Sequence, residues 1–178
     1  MRRQDSGSAK DITSLRFFLQ IHVISLLFAF LLFFPGSAEA GKKSQWSNTT
    51  PQINLTHIFQ GEINRQGKAT GFHSRPGGID TKNAKVLRIL AGPNSRGVYT
   101  AQAALLNREG KWLTKFSSFF PDSMDKKDII TAILHAWQHR QTDQSQPWQG
   151  PSGRGFLIQG YINKQGNINT AFPLYTKP

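Results

Sequence analysis

Only one stretch of this chain carries the period of an α-helix, and that sets the fold class. Ile130, Ile133, Leu134 and Trp137 recur at i, i+3, i+4 and i+7, the spacing that lines one side of a helix. Ser123 is a candidate N-cap, Asp125 and Asp128 fall in the first turns, and His139 and Arg140 lie at the C-terminal end. All of these suit the helix dipole. Elsewhere apolar residues come in short runs broken by turn signals. Runs at 58–64, 68–74, 84–90, 97–107, 112–120, 155–163 and 167–175 read as strands, joined by turns such as Asn64-Arg65-Gln66-Gly67 and Lys164-Gln165-Gly166. A short helical turn is expected around His57, and 141–151 reads as a polar loop. Strands linked by tight turns pair antiparallel, so the expected class is α+β: antiparallel sheet with one long helix and a short N-terminal helix.

Residues 1–40 fall outside that pattern. Arg2, Arg3, Lys10 and Arg16 precede an apolar run from Val23 to Phe34 that only Ser25 interrupts; Pro35-Gly36 and Ser37-Ala38-Glu39-Ala40 follow. A basic segment, an apolar segment and a small-residue site in that order describe a secretory signal peptide cleaved after Ala40. The alternative is an uncleaved anchor, but a span needs ~20 apolar residues, and Gln20 and His22 break the extension of the run towards Phe17. The expected division is a leader at 1–40, a flexible lead-in at 41–52 and one domain at 53–178. The expected location is secreted or periplasmic, with the membrane met only through the leader, and the expected state is a monomer.

The chain holds 22 Lys and Arg against 10 Asp and Glu, a net charge of +12; losing the leader's four basic and three acidic residues leaves +11. Such a charge favours polyanions, whether nucleic acid, anionic membrane surface or acidic polysaccharide. There is no cysteine, which excludes disulfides, thiolate nucleophiles and Cys-ligated zinc.

Four histidines lie beyond the leader. His135 and His139 stand four apart on the helix without an HExxH motif, and read as structural or surface residues. His57 and His73 flank the hairpin expected at 58–74, so both can point into one cleft. Imidazoles with ordinary pKa values of about 6.5 suit paired proton transfer, one neutral and accepting, the other charged and donating. RNA brings its own nucleophile, the 2′-OH beside the phosphodiester. A base for that proton and an acid for the leaving 5′-oxygen suffice, with a nearby cation or hydroxyl to stabilise the phosphorane; no metal or cofactor is expected. Around His73 the stretch "GFHSRPGG" (71–78) adds Ser74 and Arg75 as candidate phosphate contacts.

"HIFQGEI…GKATGFHS", "KFSSFFPDSM" and "INTAFPLY", in that order, resemble the successive motifs of the EndoU endoribonucleases, whose bacterial branch includes toxin domains. The resemblance covers roughly 53–178. It implies His57 and His73 as the acid–base pair, without saying which is which. It implies Lys115, a better match than Lys111, as the catalytic lysine, and Thr170 as a hydroxyl contacting phosphate or base. Where many relatives have tyrosine two residues after that threonine, this chain has Phe172, able to stack on a base but not to hydrogen-bond it. Tyr175 is a candidate to supply a hydroxyl. The implied function is a secreted endoribonuclease leaving a 2′,3′-cyclic phosphate, a toxin or a scavenger. RNA, single-stranded or tRNA, is the expected partner, with an immunity protein as a possible second. The competing readings are an inactive RNA-binding module and a basic protein that binds cell-surface polymers.

Overall fold

The structure, a computed structural model, describes residues 44–141 and 146–178. The leader read at 1–40 lies outside the described residues. Among those described, no helix is long and apolar enough to cross a membrane.

The order is a short helix α1 (Leu55–Phe59), a hairpin β1 (Glu62–Ile63) and β2 (Ala69–Thr70), three strands β3 (Ala84–Ala91), β4 (Tyr99–Leu106) and β5 (Trp112–Phe119), the long helix α2 (Lys126–Gln138), and three strands β6 (Trp148–Pro151), β7 (Leu157–Ile162) and β8 (Ile168–Pro173). All three sheets are antiparallel, ordered β1-β2, β3-β4-β5 and β6-β7-β8. The fold is α+β, as the periodicity predicts.

Two cores hold it together. The larger gathers Ile129, Ile133 and Ala136 of α2 against Trp148, Ile158, Ile168 and Ala171 of the β6–β8 sheet, with Ile53 and Ile58 from the α1 region. Glycine sets the contact between helix and sheet: a Cβ on Gly150 would stand 2.0 Å from the Ala136 carbonyl oxygen. The smaller core lies on one face of β3–β5. Alternation along β4 sends Tyr99, Ala101, Ala103 and Leu105 to that face, and the small alanines admit Phe72 and Phe119, packed edge to face at 5.3 Å.

Four local expectations change. The cap of α2 is Asp125, whose carboxylate accepts from Asp128 N at 2.8 Å; Ser123 is used up in a turn closed by Met124 N on Pro121 O. Residues 148–151 are strand β6 rather than loop, because pairing of Trp148 with Gly160 and Gln149 with Gln159 outweighs the poor strand propensity of Gly and Pro. The strands read at 58–64 and 68–74 shrink to two residues each, since 55–59 is helical and Gly71 and Phe72 take positive φ. From Gln45 the lead-in folds back: Trp46 bridges Asn54, Ser47 is buried, and Gln45 O accepts from Leu55 N at 2.8 Å.

Candidate active site

The site is built where α1, the segment after β2, and strands β5 and β8 converge. Asn54 caps α1, its side chain accepting from His57 N at 3.0 Å, and this holds His57 at a fixed point on a one-and-a-half-turn helix. His57 Nδ1 lies 3.0 Å from Glu62 Oε2, and Ser44 Oγ donates to Glu62 Oε1 at 2.6 Å. The His57 hydrogen bond holds the Glu62 carboxyl below its ordinary range, against the opposing effect of partial burial. An ionised carboxylate only accepts, so His57 Nδ1 carries the hydrogen and Nε2 is left for substrate.

His73 is placed by strained backbone. Gly71 has φ +73°, and a Cβ there would stand 2.2 Å from the His57 carbonyl oxygen, so only glycine fits. Phe72 follows at φ 57°, a left-handed conformation rare outside glycine, anchored by a ring with no exposed surface. Phe72 N donates to His57 O at 2.7 Å, His73 N to Ile58 O at 2.8 Å, and Phe120 N to His73 O at 2.9 Å. The segment is thereby stitched between α1 and the end of β5. His73 Nδ1 is 3.0 Å from Ser118 O and 3.0 Å from Ser117 Oγ, while Ser117 Oγ donates to Phe72 O at 2.8 Å. A carbonyl only accepts, which fixes the hydrogen on Nδ1 and leaves Nε2 as the free lone pair. Burial, then the charges of Lys115 and His57, push His73 well below 6.5. It is neutral at neutral pH.

The two imidazole centroids are 6.1 Å apart. Phe172 stacks on His73 at 5.2 Å. Lys115 Nζ donates to Gly71 O at 2.6 Å, and burial draws its pKa down to about 8. Thr170 lies two residues from Phe172 on the same face of β8, its Oγ1 buried without a partner.

The remaining candidates divide. Ser74 follows His73 with only 1% of its surface exposed and a hydroxyl that has no partner. Arg75 is committed elsewhere: Nε is 2.8 Å from Asp80 Oδ1, Nη1 3.4 Å from Tyr99 Oη, and Nη2 bonds Gly78 O. Tyr99 in turn donates to Asp122 at 2.7 Å. Arg75 therefore clamps the loop behind His73 and does not offer a free cation. Tyr175, beyond the end of β8, packs on the larger core. Glu62, Ser117 and Tyr161 were not singled out from the sequence. Tyr161 pairs with Thr170 across β7–β8, which places it on the Phe172 face, and it is 41% exposed. Period-two alternation of β7 against β8 is the signal that would have found it.

Among the described residues no cluster of three or more His, Cys, Asp or Glu is arranged to hold a metal ion. His135 and His139 stack at 4.2 Å with each Nδ1 on a backbone carbonyl.

Two buried, differently anchored imidazoles, with Lys115 and Phe172 beside them, make up the candidate site on this α+β scaffold. The chain belongs to the bacterial EndoU nuclease family, whose model matches residues 51–175. Over 124 residues it is 31% identical to a protein of Bacillus cereus (strain ATCC 14579) named "Toxin". That alignment covers 67% of this chain and 22% of the Bacillus protein, so the chain spans about a fifth of that relative's length. No solved structure gives a significant match.

Proposed function

We propose that the chain is an exported endoribonuclease toxin that cleaves RNA through the 2′-OH, leaving a 2′,3′-cyclic phosphate and a 5′-OH. The observation that carries this is the unequal anchoring of the two imidazoles. His73, neutral with its hydrogen on Nδ1, is the general base: Nε2 takes the 2′-OH proton as that oxygen attacks phosphorus. His57, with the Glu62 carboxylate to balance a positive charge, is the general acid: it gives its Nε2 proton to the departing 5′-oxygen. Lys115 lies beside this pair as the cation that stabilises charge growing on the phosphorane, and the unpartnered hydroxyls of Thr170 and Ser74 are candidate donors to the phosphoryl oxygens. The Phe172 ring keeps one side of His73 dry and offers an apolar edge to a base or ribose.

The substrate supplies the nucleophile and the protein both proton carriers, so the scheme has no step for a metal. The leader at 1–40 supports export, and the relative's name supports a toxin role; a nuclease toxin implies an immunity protein in the producer.

The test is the pH dependence of cleavage in EDTA. Activity should be retained in EDTA and bell-shaped with pH. The acid limb should lie below 6.5, where His73 becomes protonated, and the alkaline limb should include the loss of the Lys115 proton near about 8. A requirement for added metal, or a rate that climbs steadily through alkaline pH, would contradict the scheme.

A further inference from the structure

The second face of the β3–β5 sheet has no part in the site described above. Pairing places Trp112, Thr114 and Phe116 of β5 opposite Leu106, Ala104 and Gln102, so all point away from the small core. Lys85 and Arg88 of β3 pair with Ala104 and Gln102 and join the same face. The Lys85 ammonium is 4.1 Å from the centroid of the Trp112 ring, and the row Arg88–Gln102–Phe116 crosses the sheet. Phe116 is 65% exposed and Trp112 39%. A concavity of about 260 Å³ between Arg88, Leu90, Thr114, Lys115 and Phe116 opens here, and another, of about 520 Å³, runs from Thr114 past Trp112 to Lys68.

We infer that this face is a stacking platform for the single-stranded RNA flanking the cleaved bond. The inference rests on the endoribonuclease reading for its substrate but on separate residues. Charge complementarity argues for a polyanion: Lys85 and Arg88 lie on this face, and the three strands carry no acidic residue. The rings argue for bases. Aromatic side chains on an open sheet stack successive bases while neighbouring cations meet the phosphates. Trp112 and Phe116 are four residues apart on one strand, about 13 Å at the usual rise, with a hydroxyl between them.

Lys115 pairs with Ala103 and sends its ammonium to the other face of β5, onto Gly71 O, while its place on the strand borders the concavity beside Phe116. The platform and the histidines therefore flank the same edge strand, and RNA would pass from one to the other around that edge.

Binding of a 20-nucleotide 2′-O-methyl oligouridylate and of the corresponding trinucleotide to the full chain tests this. Neither probe has a free 2′-OH, so the result does not depend on cleavage. The 20-mer should bind at least tenfold tighter than the trimer. Phe116→Ala and Trp112→Ala should each weaken the 20-mer about tenfold, the usual scale of one lost base stack. Phe116→Tyr and Trp112→Phe should restore it, and polyglutamate of matched charge should bind all variants alike. Both rings are exposed, and unchanged melting temperatures would confirm intact folding. Alanine variants that hold the 20-mer as wild type does, or that lose polyglutamate equally, would overturn the platform and leave the face to a protein partner. A chain that leaves RNA uncut but shows the predicted 20-mer losses would remove the catalytic reading and support this one.

Discussion

His57 with His73, and His135 with His139, are two pairs of imidazoles in one small protein, and each ring in both pairs has its Nδ1 at an acceptor. The partners differ. In the first pair one acceptor is a carboxylate and the other a carbonyl beneath the protein surface, so the two rings face partners of different charge. A lysine approaches from β5, and the centroids stay 6.1 Å apart. In the second pair both acceptors are carbonyls, the rings stack at 4.2 Å, and His139 is exposed at the end of α2. Faces in van der Waals contact leave no gap for a phosphate. Closeness alone does not suit two histidines to acid–base work; the proposed chemistry asks for rings anchored unlike one another with room between them.

The sharpest way to break this comparison is to remove each ring in turn. His57→Ala and His73→Ala should each lose ~10²-fold or more of kcat/KM on RNA, and the double variant should be little worse than either single, since one concerted transfer is lost once. His135→Ala and His139→Ala should cleave like wild type. Initial rates on a single labelled RNA decide the matter; equal losses from the two pairs would erase the distinction.

Next in size is Lys115. Lys115→Met should lower kcat about a hundredfold, as loss of one donor to a developing oxyanion does, yet melt at a higher temperature. The folded pKa, about 8, lies below the ordinary 10.5. Between those values the unfolded chain binds more protons, so wild-type stability should rise with pH across that window. In Lys115→Met that rise should vanish. Thermal melts of both proteins at pH 7 and 10 measure it.

Glu62→Gln should cost less, about tenfold, because the amide still reaches His57 Nδ1 but no longer balances a charge. The loss should fall on kcat and leave KM near wild type, as Glu62 bonds His57 rather than substrate.

Much of this was legible in the sequence. The i, i+3, i+4, i+7 set marks α2, turn residues mark the meanders, and His57, His73, Lys115 and Phe172 lie near one another, with Thr170 on the Phe172 face of β8. Arg75 could not be placed, because its ion pairs reach forward to Asp80 and across to Asp122, contacts only the folded chain creates. Tyr175 falls past the last ladder pair, where alternation no longer assigns a face. Strand β6 was hidden by Gly150 and Pro151, poor strand formers whose place is set by packing under α2. The proposed order of acid and base could not be read for the same reason: it rests on Glu62 and the Ser118 carbonyl, brought in from β1 and β5.

The smallest expected effect is on stability in acid. His73 is buried with its pKa well below 6.5, so below that pH the unfolded chain takes up a proton that the folded one refuses. Stability should therefore fall as pH drops from about 6.5, before the further loss expected below 4.5 when Glu62 is protonated on unfolding. His73→Gln should flatten only the first part of that decline in urea titrations.

The most direct test of the central claim is the chemistry at the cut ends. A defined RNA, incubated with the protein in EDTA and read by mass spectrometry, should yield fragments ending in 2′,3′-cyclic phosphate paired with 5′-OH ends, and His73→Ala should yield almost none. Fragments ending in 3′-OH and 5′-phosphate, or cyclic ends formed undiminished by folded His73→Ala, would contradict it.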